Sequence, residues 1–124
     1  MFNHIMLGTN DMARSKRFYD ALIGAMGGAP GTTDKLGRTI YAHRGGRLMI
    51  STPIDGAPAT GANGGTIGFT AASQPEAEAW HRAGVEHGGT SIEDAPGLRD
   101  NGVYLGYLRD PDGNKLCVVY RPAA

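Results

Sequence analysis

The two halves of this chain repeat one order of predicted elements: a strand, a helix and then further strands. In the first half these elements are predicted at residues 2–7, about 12–23, 38–43 and 47–51. In the second half they are predicted at residues 66–71, from Ser73 to near Gly88, near Ser91, at 103–108 and at 115–120. A constant offset places Phe18 on Trp80. Because self-similarity constrains a whole architecture, the repeat predicts two β-α-β-β-β modules, about residues 1–61 and 62–124, in a single domain.

Composition narrows the class of protein further. At 124 residues the chain is about one domain long and can bury a core without disulfides. Twelve basic residues balance twelve acidic ones, and neither sign forms a long run, which argues against nucleic acid or a membrane as partner. A single cysteine and an N-terminus without a basic, apolar leader predict a cytoplasmic protein. We therefore expect the partner to be a small molecule or another subunit.

A turn near the C-terminus joins the last two predicted strands. Pro111 fixes φ at the first central position, and Gly113 tolerates a positive φ. The carboxylates of Asp110 and Asp112 can accept hydrogen bonds from their own backbone. The segment therefore predicts a hairpin, and the pair Gly45-Gly46 predicts a second hairpin turn in the first half.

Four motifs resemble one known family over essentially the whole chain. They are Phe2-Asn3-His4-Ile5-Met6-Leu7, Asn10-Asp11-Met12, Arg17-Phe18-Tyr19-Asp20 and Asp110-Pro111-Asp112-Gly113-Asn114. In order and spacing they resemble the vicinal oxygen chelate superfamily, which includes glyoxalases, bleomycin-resistance proteins and extradiol dioxygenases. The resemblance implies an α+β protein whose two β-α-β-β-β modules curve their mixed sheets around an open, funnel-like cavity that holds the ligand site. It also implies a homodimer.

The resemblance further implies four metal-ligand positions on the inner faces of the sheets. Carried over by motif, they are His4, Met49, Thr66 and Cys117. Only His4 is a residue type that such a metal site uses, and no Asp or Glu lies in any predicted strand, so a hard divalent cation would lack charge compensation. We therefore expect no metal cofactor. The alternative is a soft ion, zinc or copper(I), on His4, Met49 and Cys117.

Strand alternation predicts which side chains line the pocket. If His4 faces inward, then Met6 shares its face while Ile5 and Leu7 pack under the helices. We predict His4 as the catalytic acid–base residue, because imidazole exchanges protons near neutral pH. The predicted ligand-binding residues are Met49, Thr66, Cys117, Tyr41, His43 and Tyr107. The segment 95–99 is predicted as a mobile loop at the mouth of the pocket.

Three functions remain open from the sequence. The first is a lyase or oxidoreductase of this superfamily that uses His4 and no divalent metal. The second is a non-catalytic protein that binds a small organic molecule such as a drug or toxin. The third is a metal-dependent lyase or dioxygenase with ligands at other positions, for example His43. The loss of three of four ligand types favours the second function, whereas the retention of His4 favours the first.

Overall fold

The computed structural model describes residues 1–122, which contain two helices and nine strands. The helices are α1 (Met12–Gly24) and α2 (Gln74–Glu86). The strands, in chain order, are β1 (Ile5–Gly8), β2 (Thr32–Thr33), β3 (Thr39–His43), β4 (Gly46–Ser51), β5 (Ile67–Thr70), β6 (Thr90–Ser91), β7 (Gly97–Leu98), β8 (Tyr104–Arg109) and β9 (Lys115–Tyr120). The last two residues of the predicted second module lie outside the described residues.

The strands form two mixed sheets, one in each predicted module. The first sheet has the order β1-β4-β3-β2, and the second has the order β5-β9-β8-β6, with β7 also paired to β8. The first strand of each module runs parallel to the last, and the hairpin partners are antiparallel. Within residues 1–122 no strand of one sheet comes within 8 Å of a strand of the other, measured between Cα atoms. The predicted α+β class with two mixed sheets is confirmed, and the sheets do not close into a barrel. The second module contains one strand more than the predicted β-α-β-β-β order, because the short strand β7 also pairs with β8.

Local capping chemistry starts both helices where the sequence predicts. The Asp11 carboxylate accepts a hydrogen bond from the backbone N–H of Arg14 at 3.0 Å. The Ser73 hydroxyl accepts one from the N–H of Glu76 at 3.2 Å, with Pro75 in the first turn of α2. Both predicted helices are confirmed. Neither helix, nor any other among the described residues, is long and apolar enough to cross a membrane.

One hydrophobic core joins the two modules, because α1 and α2 pack against each other and against the sheets. Its fully buried side chains include Phe18, Tyr19, Leu22, Trp80, Leu108, Leu116 and Val118. Two glycines permit this close packing. A Cβ atom at Gly84 would lie 2.3 Å from a methyl carbon of Leu108, and one at Gly89 would lie 2.7 Å from the ring of Phe18. Larger residues at these two positions would push the helices and sheets apart.

Long-range pairing changes two of the predicted boundaries. The strand predicted at residues 2–7 begins only at Ile5, because its pairing with β4 begins there, and Phe2 is 80% exposed. The hairpin turn predicted at Gly45-Gly46 consists instead of Arg44 and Gly45, since Gly46 pairs with the last residue of β3. Both turn residues have positive φ, 49° and 83°, which matches the backbone twist that two-residue hairpins need.

Candidate functional site

Each sheet has one face against the helices and one face directed away from them. In β4 the side chains of Leu48 and Ile50 belong to the core, whereas Met49 between them does not. In β9 the core residues are Leu116 and Val118, and Cys117 again lies between them on the other side. We call the surface away from the helices the open face. It carries Met6, Ile40 and Met49 on the first sheet and Gly68, Tyr107 and Cys117 on the second.

The open face of the first sheet is apolar and centred on Met49. This residue is aligned with Met6 on β1 and with Ile40 on β3. Met49 is only 5% exposed, whereas Met6 is 42% exposed. Thioether side chains are polarizable and adapt their shape to irregular apolar partners. The centre of this face, at Met49, therefore suits an apolar or aromatic group.

The open face of the second sheet is centred on Cys117, which is aligned with Gly68 on β5 and Tyr107 on β8. Burial raises the pKa of the Cys117 thiol, so it is a neutral thiol at physiological pH. Burial, and next the neighbouring Cys117, raise the pKa of the Tyr107 phenol. Beside Cys117 there is room for a ligand, because a Cβ atom at Gly68 would meet no heavy atom within 4 Å.

A charged pair borders this second open face. The ammonium group of Lys115 lies 5.0 Å from the centre of the Tyr107 ring, and it also forms an ion pair with Glu93. Because Glu93 neutralises Lys115, the surface next to Cys117 has no unpaired charge from this pair. The groups available to a ligand here are the thiol of Cys117 and the phenol ring of Tyr107.

The structure divides the four positions carried over by motif between the two sheets. His4 is exposed just before β1, where its Nδ1 hydrogen-bonds the side-chain oxygen of Asn3 at 2.8 Å. Met49 belongs to the same sheet. Thr66 is exposed just before β5, and Cys117 lies in the second sheet. Within one chain these four residues therefore do not form one compact set.

Two other predicted ligand-binding residues, Tyr41 and His43, lie on the helix side of the first sheet, away from Met49. Tyr41 is 2% exposed, and its hydroxyl donates to the carboxylate of Asp20 at 2.7 Å. The Nε2 atom of His43 hydrogen-bonds the backbone oxygen of Met26 at 2.9 Å. The sequence gives no strand register, so it could not separate these two residues from those of the open face.

Sequence reasoning assigned no role to Ile40 or Lys115, which the structure places beside the open face. Strand alternation could have indicated both residues. Lys115 is two residues before Cys117 and so shares its face, and Ile40 is one residue before Tyr41 and so faces the opposite way. The same alternation did group Met6 with the pocket. What was lacking was the pairing partner of each strand.

The Asp-Pro-Asp-Gly turn forms a buried polar cluster between the modules and not a ligand site. The Asp110 carboxylate accepts hydrogen bonds from the Tyr19 hydroxyl at 2.5 Å and from the Asn114 amide at 2.8 Å. The Asp112 carboxylate accepts one from the Thr9 hydroxyl at 2.5 Å and one from the guanidinium of Arg14 at 2.8 Å. We call residues 110–114 with these partners the turn clasp. Its acceptors are already engaged within the protein.

The donors present do not fit the divalent metal that the family resemblance implies. Within residues 1–122 no three His, Cys, Asp or Glu side chains are grouped closely enough to hold a metal ion. The nine strands contain no Asp or Glu. Hard divalent cations bind carboxylate and carbonyl oxygens, and the soft sulfur donors Met49 and Cys117 lie in different sheets. That the protein uses no metal cofactor remains a prediction.

Comparisons with known proteins agree with this fold. The family described as Glyoxalase/Bleomycin resistance protein/Dioxygenase superfamily matches residues 1–118. A glyoxalase/bleomycin resistance protein from Albidiferax ferrireducens T118 is 51% identical, with a TM-score of 0.93 over 98% of this chain and 99% of its own. A glyoxalase-related enzyme from Fulvimarina pelagi is 22% identical, with a TM-score of 0.76 over 98% of this chain and 89% of its own, and so shows the fold alone. No curated protein matches this chain.

Proposed function

This chain belongs to the Glyoxalase/Bleomycin resistance protein/Dioxygenase superfamily, and from the chemistry of its open faces we propose that it binds a small, uncharged organic molecule there without catalysis. One observation carries the proposal. Met49 and Cys117 are almost fully buried but lie outside the hydrophobic core, on the face away from the helices. Together with the space beside Gly68, they supply an apolar, neutral lining of the kind that small-molecule sites use.

Binding is favoured over catalysis because, within residues 1–122, no activated group faces the site. The thiol of Cys117 is neutral, since burial raises its pKa, and a neutral thiol is a poor nucleophile. His4, the predicted acid–base residue, is exposed and hydrogen-bonded to the adjacent Asn3. The bound molecule would be held by dispersion contacts with Met49 and by the phenol of Tyr107. A single cysteine kept as a thiol also supports a cytoplasmic location.

We also propose that a second copy of the chain completes the site. The open faces of one chain belong to sheets whose strands do not approach within 8 Å. β1 and β5 are both edge strands, each with one side free of sheet partners among the described residues. Met6 on β1 is 42% exposed and belongs to the first open face. A homodimer would bring the first sheet of one copy towards the second sheet of the other.

A substitution at Gly68 tests the site directly. Gly68 does not adopt positive φ, and a Cβ atom there meets open space, so Gly68→Leu should fold while it fills the space beside Cys117. The matched control is Gly24→Leu, since Gly24 at the end of α1 also has open space around a Cβ atom. Neutral aromatic and aliphatic compounds are screened by thermal shift and then titrated by calorimetry. Compounds that bind the wild type should lose binding to Gly68→Leu and keep it in Gly24→Leu.

Equal binding to the wild type and Gly68→Leu would refute a site on the open face. Catalysis is tested by following each bound compound by NMR with the wild type and with His4→Ala. We expect no turnover in either protein. Turnover that His4→Ala abolishes would establish the enzymatic function instead, and a stoichiometric metal content after purification without chelator would establish a metal protein.

The proposed dimer has its own measurement. Met6→Glu places a charge on the exposed part of the first open face, where association would bury it at high cost. Light scattering coupled to gel filtration should show a dimer for the wild type and a monomer for Met6→Glu. A wild type that is monomeric at all concentrations would refute the proposed role of a second copy.

A further inference from the structure

A cavity between the two modules continues the open face of the second sheet around the edge of β5. It has a volume of about 450 Å³, which is within the range of small-molecule sites. All four residues of β5, Ile67–Thr70, line it. Ile67 and Phe69 pack on the core, whereas Gly68 is aligned with Cys117 on the open face. Because residues of both faces line the cavity, it borders the edge of β5 that has no strand partner among the described residues.

Beyond β5 the wall of the cavity is apolar. Its side chains from the first module include Ile5, Ile23, Met26 and Leu48. Two arginines also line it. The guanidinium of Arg44 donates two hydrogen bonds of 2.7 Å to the carboxylate of Glu76, which neutralises it. Arg47 is exposed, which leaves its guanidinium in water. This part of the cavity therefore suits an uncharged hydrocarbon group.

The edge of β5 presents backbone polar groups to the cavity. The N–H of Ala71 donates to the oxygen of Val119 at 2.9 Å, so residue 71 bonds towards β9. Backbone groups of successive residues point to opposite edges of a strand, so those of Gly68 and Thr70 point away from β9. The oxygen of Thr70 accepts a hydrogen bond of 3.5 Å from Arg44, which lines the cavity. The N–H and C=O of Gly68 are therefore the pair that a ligand can reach.

We propose that the molecule bound at the open face is an elongated, uncharged secondary amide whose hydrocarbon tail enters this cavity. The inference rests on the proposed function, because it extends the same site. The amide pairs with the N–H and C=O of Gly68, as an added strand does. The tail lies against Ile5 and Leu48, and the apolar or aromatic group on the other side of the amide lies beside Cys117. A Cβ atom at Gly68 would meet no heavy atom within 4 Å, so the molecule has room to pass there.

Three benzamides test the tail and the amide separately, each titrated by calorimetry into the full-length protein. N-hexylbenzamide has both features, N-ethylbenzamide has the amide with a short tail, and N-hexyl-N-methylbenzamide has the tail without an amide N–H. N-hexylbenzamide should bind about tenfold more tightly than N-ethylbenzamide, as roughly two buried methylene groups predict. It should bind about fivefold more tightly than the N-methyl compound, as one hydrogen bond predicts.

Substitutions at Gly46 test whether the tail lies in the cavity. Gly46 lines the cavity, is exposed and does not adopt positive φ, and a Cβ atom there would meet only the backbone oxygen of His43, at 3.7 Å. Gly46→Leu should therefore fold and fill part of the cavity. It should weaken N-hexylbenzamide about tenfold and leave N-ethylbenzamide unchanged. Gly46→Ala is the matched control, which should leave both affinities unchanged.

The fluorescence of Trp80 gives a second readout, which needs no variant. Phe69 lines the cavity, and its ring lies 5.7 Å from that of Trp80, the single tryptophan of the chain. A tail in the cavity should therefore change the tryptophan emission. N-hexylbenzamide should produce this change at saturation, and N-ethylbenzamide should not.

Gly68→Leu distinguishes the failure of this inference from the failure of the proposed function. If N-hexylbenzamide loses binding to Gly68→Leu but binds Gly46→Leu as tightly as the wild type, the open face is the site and the tail does not enter the cavity. If it binds Gly68→Leu as tightly as the wild type, both proposals are wrong.

Two further results would overturn the inference alone. One is that N-hexylbenzamide does not bind the wild type although other neutral compounds do. The other is that it binds no more tightly than the N-methyl compound, which would exclude the pairing with Gly68. If Gly46→Leu does not fold, the fluorescence change decides whether the tail lies in the cavity.

Discussion

The two modules are tied together at two places that differ in their exposure to water. In the turn clasp, Asp110 is 4% exposed and the side chain of Asp112 is fully buried. In the bridge between Arg44 and Glu76, the arginine side chain is 43% exposed. Both ties join a charged side chain of one module to a partner in the other. A buried carboxylate depends fully on its protein partners, whereas an exposed pair competes with water and is screened by salt.

Because of this difference, we expect the turn clasp to contribute mainly to stability and the bridge mainly to the spacing of the modules. The turn clasp lies in the dry part of the interface, where each missing partner leaves a polar group without a hydrogen bond. The bridge between Arg44 and Glu76 lies beside the cavity of about 450 Å³ between the two modules. Because the pair is partly exposed, we expect its loss to change the spacing of the modules more than the free energy of unfolding. We therefore expect the turn clasp to determine whether the modules dock, and the bridge to determine the shape of this cavity.

Asp110→Ala should have the largest effect on stability. The Asp110 carboxylate accepts four hydrogen bonds, from the Tyr19 hydroxyl, the Asn114 side chain and the backbone N–H groups of Asp112 and Asn114. Its removal leaves buried donors without partners, so the free energy of unfolding should fall by about 3 kcal/mol or more. Urea unfolding followed by circular dichroism measures the change.

Asp55→Ala is the matched control, since Asp55 is exposed and its carboxylate accepts a single hydrogen bond, from the N–H of Ala57. It should cost less than about 1 kcal/mol. Equal losses for Asp55→Ala and Asp110→Ala would show that the turn clasp contributes no more than an ordinary surface turn.

Tyr19→Phe should have the next largest effect on the free energy of unfolding, and Tyr41→Phe is the variant to compare with it. Each change removes one hydroxyl from a buried tyrosine. Burial, and next the charge of Asp110, raise the pKa of Tyr19, so its hydroxyl donates at neutral pH. Tyr19→Phe should lower the free energy of unfolding by about 2 kcal/mol, because Asp110 is buried.

Tyr41→Phe should cost about 1 kcal/mol, because the carboxylate of Asp20 keeps its hydrogen bonds from Lys16 and from the N–H of Gly31. Urea unfolding of the two variants under identical conditions gives the comparison. The interpretation of Tyr19 as a link between modules is wrong if Tyr41→Phe costs as much as Tyr19→Phe.

The sequence predicted those features that neighbouring residues determine. Ser73 starts α2 through a bond to an N–H three residues later, and Pro111 with Gly113 forms the last hairpin turn. The helix positions Phe18 and Trp80 follow from periodicity, and both are fully buried. Features of this kind depend on residues that are close in sequence, so a short stretch of the chain is enough to predict them.

What the sequence did not predict depends on contacts between distant residues. The turn clasp joins Asp112 to Thr9 and Arg14, which are 103 and 98 positions away in the chain. The facing of Tyr41 depends on which strand pairs with β3 and in what register. The cavity between the two modules depends on how the modules pack against each other, which no local pattern encodes. The Asp-Pro-Asp-Gly turn could therefore be located from the sequence, but its role in joining the two modules could not be predicted.

Glu76→Gln should have the smallest effect on stability, and the effect should depend on pH. Hydrogen bonds from Arg44 outweigh partial burial and lower the pKa of Glu76 below its ordinary value of 4.5. A lowered pKa in the folded state contributes stability above pH 4.5, and this contribution is lost as the pH falls through the folded-state pKa. The wild type should thus lose stability below pH 4.5 more steeply than Glu76→Gln. Urea midpoints measured across this range should converge, and added salt should reduce the difference, because the pair is partly exposed. Parallel curves at all pH values would mean that the bridge spaces the modules without contributing to their stability.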